Sequence, residues 1–316
     1  MNWQLFDPAN PEHLAALVSI WNAACGPDLA LNQRLAEFNT RPTAGIARAG
    51  QIAYAGDTPA GVVLASAVRS DADPRPLGWI DAVAVTPARQ RQGLGTQLVD
   101  WAEGWLAGQG ARELSVGGSL RPFTPGLPTE LGGPDFFTRR RYQAEGAVWD
   151  VARRLRDYAA PRTWPPIETR PLGPADADAL DEFLRREFPE RWHFEYGEFR
   201  REGGRLSDYV GLWEGGRIEG FCHLTLEDSA WPIERLYMHR LPQPWGQLGP
   251  IGVGSAVRGR GYGGALLDAG LRELAARGVD GCVIDWTDLV DFYGKFGFAP
   301  FRQYTPLTKA LPAATA

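Results

Sequence analysis

Apolar positions gather into short runs around 2–6, 60–68, 77–85, 112–117 and 146–155, and again around 167–170, 208–214, 217–226, 247–253 and 281–285. Runs of this length bounded by turn residues predict strands. Between them, Leu14, Leu17, Val18 and Trp21 share one face of a predicted helix, as do Leu180, Phe183, Leu184 and Phe188 in a helix beginning after Pro174. A further pair of helices is clearer still: Leu94, Leu98, Trp101 and Trp105 line one, Leu267, Leu271 and Leu274 line the other, and Gly110 and Gly278 act as stop signals. Strands interleaved with a few helices predict mixed α/β domains, each built on one central sheet.

The pattern repeats. AVTPARQRQGLGT at 84–96 returns as GVGSAVRGRGYGG at 252–264 with an offset of 168, and the register holds beyond it, placing Leu98 on Leu266, Asp100 on Asp268, Leu106 on Leu274 and Val116 on Ile284. So long an in-step match predicts two copies of one fold, at 1–156 and 167–316. DYAAPRTWPP at 157–166 carries three prolines, which oppose helix and favour an extended connector between the copies. The halves differ most at 119–133, where the first has a Pro- and Gly-rich stretch about twelve residues longer, a loop by composition.

A chain of 316 residues with 44% hydrophobic content supports two ordinary cores. The net charge of -5 disfavours a general nucleic-acid binder, whose affinity rests on clustered Lys and Arg. Cys25, Cys222 and Cys282 match no metal or redox spacing, and no His/Cys/Asp cluster suggests a metal, so a reducing cytoplasm and a metal-free protein are expected. The opening MNWQLFDPANPEHL lacks a basic segment followed by an apolar stretch, and no apolar run approaches the ~20 residues of a membrane span. No membrane partner is expected.

Both repeated segments read as a strand, a basic glycine-rich loop and an amphipathic helix. Glycines at 259, 261, 263 and 264 clear side chains from where a ligand meets backbone, and the helix start aims free N–H groups at the same point, which suits a pyrophosphate. Arg258 and Arg260 add charged donors; in the first copy Gln90, Arg91 and Gln92 precede Gly93, Gly95 and Thr96. A nicotinamide-dependent oxidoreductase is a competing reading, because Gly259, Gly261 and Gly264 satisfy G-x-G-x-x-G and Asp285 follows at a strand end. Against it, the sister loop, with Gly93 and Gly95, has Leu98 where the last glycine would be, the motif lies mid-domain, and one helix-strand unit follows rather than several.

The arrangement Q/R-x-x-G-x-G after a strand, met by Gln90, Gly93 and Gly95 and by Arg258, Gly261 and Gly263, resembles the signature of the GNAT acetyltransferase superfamily. DFYGKFGF at 291–298 resembles the segment that closes the cofactor site in that family. The resemblance, covering nearly all of each half, implies two tandem GNAT domains and acetyl-CoA as cosubstrate. It implies that backbone at Ile251 and Val253 holds pantetheine, that 258–264 cradles the pyrophosphate and that Tyr293 lies near the thioester sulfur, with Val83, Val85 and 90–96 as first-half counterparts.

An alkylamine with pKa near 10.4 is only about 0.04% neutral at pH 7, so attack on a thioester needs a base, and the departing thiolate needs a proton. Tyr293 is the candidate general acid. Its first-half counterpart, Phe137, has no proton to give, so the first domain is expected to be degenerate and the second active. Many family members place a carboxylate on the strand before the loop; Asp81 fills that place in the first half, but the second has Gly249. Glu234 and His239, in the segment 231–242, are candidate bases, with ordered water as an alternative. Trp286 stands where the family often has a cofactor-contacting Asn, for which Thr287 or Asp288 could substitute. The segment 191–204 is the expected acceptor side, where Trp192, Phe194, Glu195 and Tyr196 would hold a cationic small molecule by ring faces and charge. The leading expectation is an acetyl-CoA-dependent N-acetyltransferase acting on a small amine or thiol; a non-catalytic acyl-CoA-binding or sensing protein is the alternative from another class.

Overall fold

The computed structural model describes residues 1–68, 77–237 and 239–311; Met238, within the candidate segment 231–242, lies outside them. The chain divides into two compact units, Met1–Val148 together with Arg302–Ala316, and Trp149–Phe301.

In the first, β1 (Asn2–Leu5), α1 (Pro11–Cys25) and α2 (Gln33–Thr40) precede β2 (Ile46–Ala55), β3 (Thr58–Val68) and β4 (Leu77–Val85). There follow α3 (Leu94–Gly108), β5 (Glu113–Val116), β6 (Leu127–Pro128), α4 (Pro134–Thr138) and β7 (Gln143–Ala144). The second contains β8 (Val148–Arg154), β9 (Glu168–Pro171), α5 (Ala177–Glu187), α6 (Arg191–Arg201), β10 (Tyr209–Glu214), β11 (Arg217–Leu226) and β12 (Trp245–Val253). It continues through α7 (Tyr262–Ala276), β13 (Gly281–Thr287) and α8 (Val290–Gly294); β14 (Ala299–Thr305) crosses the boundary at Arg302, and β15 (Leu307–Ala310) follows in the first unit.

The first sheet has seven strands in the order β1-β2-β3-β4-β5-β15-β7, and the strands of the second unit run in the order β8-β13-β12-β11-β10-β9. One pair in each is parallel, β4 with β5 and β12 with β13, because α3 or α7 crosses over between them. The boundary differs from the one expected at 157–166. β8, which closes the first repeat in sequence, pairs antiparallel with β13, and β15, which closes the second, pairs antiparallel with β5. A strand's own pattern reports its faces and not its partner, so this placement is invisible in the sequence. The segment 157–166 is free of helix and strand, as its prolines suggest, but it lies inside the second unit.

The crossover helix of the second unit sits very low on its sheet. Its apolar face, Leu266, Leu267, Leu271 and Leu274, joins Cys222, Leu224, Leu248 and Cys282 in one buried cluster. Gly270 permits this approach, since a Cβ there would come 2.5 Å from Leu248 Cδ1 and 2.8 Å from Cys222 Sγ. That packing fixes where the helix begins, at the open end of β12.

Deleting residues 306–316 would take β15 from between β5 and β7. Hydrogen exchange should then find the β15-facing amides of Glu113–Val116 losing protection by roughly tenfold or more, while Tyr209–Glu214 and Arg217–Leu226 keep theirs. Equal loss in both sheets would contradict the strand placement.

Candidate functional site

In each unit the parallel ladder covers only the first part of the strand that leads into the glycine loop. β12 and β13 are in register at Trp245↔Gly281, Gly246↔Cys282 and Gln247↔Val283, and β4 and β5 from Leu77↔Glu113 to Ile80↔Val116. β12 then continues to Val253 and β4 to Val85 with that edge open among the described residues. Ile251 and Val253 lie on the open stretch of β12, paired on the other side with Cys222 and Gly220; Val83 and Val85 occupy the same place on β4. Backbone donors and acceptors along such an edge are suited to an extended ligand.

The glycine loops lead directly from these edges into the helices. Gly261 caps α7 with φ 83° and Gly93 caps α3 with φ 83°, and neither has a side-chain cap. Ala265 N–H is the first to donate back to Gly261, at 3.2 Å, so the amides of residues 261–264 have no partner within the helix. The loop turns through a left-handed residue two positions earlier: Gly259 at φ 78°, but Arg91 at φ 60° in the first copy. The signature side chains hold the loop to the strand, Arg258 Nε donating to Val253 O at 3.4 Å and Gln90 Nε2 to Val85 O at 3.0 Å. Arg260, expected over the phosphate, is engaged elsewhere: its two Nη groups reach the Glu214 carboxylate at 2.5 and 2.9 Å, and it also donates to Tyr262 Oη. A cavity of about 570 Å³ opens at this loop, lined by Val253, Arg258, Gly259, Gly261, Gly263 and Lys295 among others.

At the root of the second splay lies a polar chain that the sequence reading missed. Thr225 Oγ1 donates to Gln247 Oε1 at 2.8 Å, and Gln247 Nε2 donates to Asp285 Oδ1 at 2.7 Å. Arg235 Nη2 approaches Gln247 Oε1 at 3.4 Å. Asp285 Oδ1 is 3.2 Å from where a Cβ of Gly249 would sit, so the carboxylate occupies the space a side chain on β12 would take. The signal was in the repeat. Asp81 aligns with Gly249, and Gly117 aligns with Asp285, so one carboxylate has changed strands between the copies.

Tyr293, on α8, is 5% exposed, with its ring edge-on to Phe292 at 5.1 Å. Burial, with the charges of Asp285, Cys222 and Asp288, pushes its hydroxyl up to about 12. In the first unit Phe137 is buried edge-on to Phe136 and Tyr142. Asp81 there is buried, accepts from Ser66 Oγ at 2.9 Å, and is raised by that burial despite Arg48 and the Ser119 and Ser66 hydrogen bonds. His223, opposite the bulge at Gly249 and Pro250, is stacked on Tyr209 at 4.4 Å and held neutral, its pKa lowered to about 3 by burial and by Arg235.

The other expected residues scatter. His239 is exposed and edge-on to Trp245, at the paired end of β12 and away from its open stretch. From the turn at Ile233–Leu236 it is Arg235, not Glu234, that reaches Gln247. On α6, Trp192 packs on Phe188 at 4.6 Å and close to the Gly252 backbone, and Glu195 pairs with Arg191 at 2.7 Å. Arg191 in turn lies 4.4 Å over the ring of Trp286, a residue at φ 52°. Phe194 is half-buried, whereas Tyr196 is interior, donating to Ala177 O at 2.9 Å and accepting from Arg200. Thr287 Oγ1 accepts from Leu289 N–H at the start of α8, while Asp288 is exposed. Among the described residues there is no cluster of metal-ligand side chains, and no helix is long and apolar enough to cross a membrane.

The sequence profile of the acetyltransferase (GNAT) family matches residues 14–120 and 177–298. Relatives include the mycothiol acetyltransferase of Nocardia farcinica (strain IFM 10152), 29% identical over 225 residues, covering 69% of this chain and 70% of that protein. That of Corynebacterium glutamicum (strain R) is 26% identical over 253 residues, covering 72% and 74%. Among solved structures, one described as a GCN5-related glucosamine N-acetyltransferase region in a fungal multi-domain GH3 β-N-acetylglucosaminidase aligns with a TM-score of 0.86 at 23% identity. It covers 98% of this chain, which spans only 38% of that longer protein. A tandem GNAT protein from the clavulanic acid biosynthesis pathway aligns over 100% of both chains with a TM-score of 0.70 at 15% identity. With both glycine loops inside a profile match that takes in well over half of the sequence, the chain belongs to the acetyltransferase (GNAT) family, and it is an N-acetyltransferase made of two tandem copies of that fold.

Proposed function

We propose that the second unit performs the acetyl transfer, from acetyl-CoA to a small primary amine, with Asp285 as the base and Tyr293 as donor to the sulfur. The first unit then serves as scaffold, binding the cosubstrate weakly or not at all. The observation that carries this reading is the exchanged carboxylate: the open splay of the second unit has an aspartate aimed by two hydrogen bonds in series, beside a tyrosine that the first unit lacks.

The residues present fit the cosubstrate. Four free amides at 261–264, the open edge of β12 and the cations Arg258 and Lys295 surround a cavity of the size expected for part of a nucleotide ligand. When bound, acetyl-CoA supplies an activated carbonyl and a sulfur leaving group. Gln247 fixes Asp285 Oδ1 and leaves Oδ2 with no partner among the described residues, ready to take a proton from an incoming ammonium. Tyr293, at about 12, stays protonated throughout the working range. Full transfer from such a phenol to a thiolate of pKa about 8.5 runs uphill by about 3.5 units, roughly 5 kcal/mol. Its contribution is therefore a hydrogen bond to sulfur as charge develops, and the proton the thiolate takes up is balanced by the one the attacking nitrogen sheds on becoming an amide. Trp192, packed close to the Gly252 backbone, and the Glu195–Arg191 pair beside Trp286 are the groups assigned to the acceptor in this reading. Similarity to the mycothiol acetyltransferases supports an acceptor that is a small molecule.

Steady-state assays of CoA release test this. Asp285→Asn should lower kcat by about a hundredfold or more, Tyr293→Phe by about tenfold, and Asp81→Asn should leave both constants near wild type. Loss of activity in Asp81→Asn with none in Asp285→Asn would assign the chemistry to the first unit.

The pH profile supplies a second check. Because the Tyr293 pKa is raised, its ionisation removes no activity below about pH 10, and the wild-type and Tyr293→Phe profiles should differ in height and share one shape up to that pH. An alkaline limb below pH 10 that disappears in Tyr293→Phe would overturn the hydrogen-bond role.

A further inference from the structure

The proline-rich segment ahead of the second repeat does more than connect. Pro161, Arg162 and Trp164 line the same cavity as the glycine loop. The Trp164 ring lies flat on Phe296, with centroids 5.5 Å apart and planes 4° from parallel, and it presses on the first turn of α7, where a Cβ on Gly264 would come 2.4 Å from it. Arg162 folds back over this indole, its guanidinium carbon 4.5 Å from the ring centroid, and places Nη2 3.4 Å from where a Cβ on Gly261 would sit. Thus the arm reaches the capping residue of the helix whose free amides face the loop.

The charges at this spot do not balance. Arg162, Arg258 and Lys295 all line the cavity, and no carboxylate is among its lining residues. Arg260 already has its counter-charge in Glu214, whereas Arg162 has no hydrogen bond or ion pair among the described residues and lies over the Trp164 ring. A planar, permanently charged group without a partner, beside unpaired helix amides, is equipped for bidentate contact with phosphate oxygens. In the first copy nothing among the described residues lies within 4 Å of where a Cβ on Gly93 would sit, and Thr96 stands in place of Gly264.

We propose that Arg162, braced by Trp164, is a ligand of the acetyl-CoA diphosphate and clamps it against the start of α7. This rests on the reading that the second unit binds acetyl-CoA. Arg162→Gln should raise KM about tenfold for acetyl-CoA and equally for acetyl-dephospho-CoA, which keeps the diphosphate, with kcat unchanged and no effect on acetyl-pantetheine, which lacks it. Trp164→Ala, with folding checked by circular dichroism, should raise the same two KM values, because the brace is gone. An unchanged KM in Arg162→Gln refutes the clamp. So does an increase confined to acetyl-CoA, which would put Arg162 on the 3′-phosphate, and so does a lower KM, which would make the arm an obstruction. Arg258→Glu separates the two levels: if it weakens acetyl-CoA binding while Arg162→Gln does not, the clamp alone is wrong, and if neither does, the second unit is not the cosubstrate site.

Discussion

The candidate site depends on two parallel strands that stop pairing early. After Gln247↔Val283 the ladder between β12 and β13 ends, although both strands run on for several residues. A strand edge left open in the middle of a sheet carries unmet hydrogen-bond capacity, which a fold tolerates only where something else can meet it. The gap is kept open by neighbouring constraints. Proline at 250 removes one donor, the register with β11 slips opposite it, and Asp285 fills the space beside Gly249 so that the two strands cannot close. With α7 held down on the sheet at Gly270, the same gap is aimed at a helix start.

The duplication makes the divergence between the copies readable. Each splay contains one carboxylate, from β4 as Asp81 in the first unit and from β13 as Asp285 in the second, and the opposite strand carries glycine in each case. Gly117 in the first unit could not simply be converted, since a Cβ there would meet Thr124 O at 2.6 Å. Asp81 is buried and hydrogen-bonded to Ser66, in surroundings that favour its neutral form. Asp285 is half-buried at the root of the open edge. The two copies thus share a backbone while differing in which side of the splay supplies the carboxylate and in how deeply it is buried.

Much of this was legible in the sequence and some was not. The repeat, the glycine loops, their helices and most strands follow from periodicity and local residue chemistry. β2, with Gly50 and Arg48 interrupting a half-buried stretch, gives a weak apolar signal, and α6 reads as an aromatic cluster because its buried positions, Tyr196, Glu198 and Phe199, make no helical stripe of aliphatics. The exchange of β8 and β15 between sheets leaves no trace in either strand's own pattern. For the candidate site, the backbone positions were foreseeable from the motif, but side-chain partners were not: Arg260 was expected to meet phosphate, and only the fold brings Glu214 to it from 46 positions away. Asp285 was visible as an acid at a strand end, yet its place beside Gly249 depends on how far apart the strands lie.

The loops keep their shape through contacts within the protein itself. Gly93 and Gly261 cap their helices at the same φ of 83°, and Gln90 and Arg258 tie the loop to the same strand carbonyl. These contacts set the descent of α3 and α7 onto their sheets, so they contribute to folding whether or not a phosphate is present. Charge is under no such requirement. In the first copy Gln92 turns its amide to Ala88 O, and Arg91 accepts a left-handed backbone that costs a non-glycine residue of order 1 kcal/mol. In the second, glycine removes that cost and Arg162, Arg258 and Lys295 gather at the cavity. Motif geometry therefore reports the fold, and what distinguishes a loop able to grip an anion is the uncompensated positive charge around it.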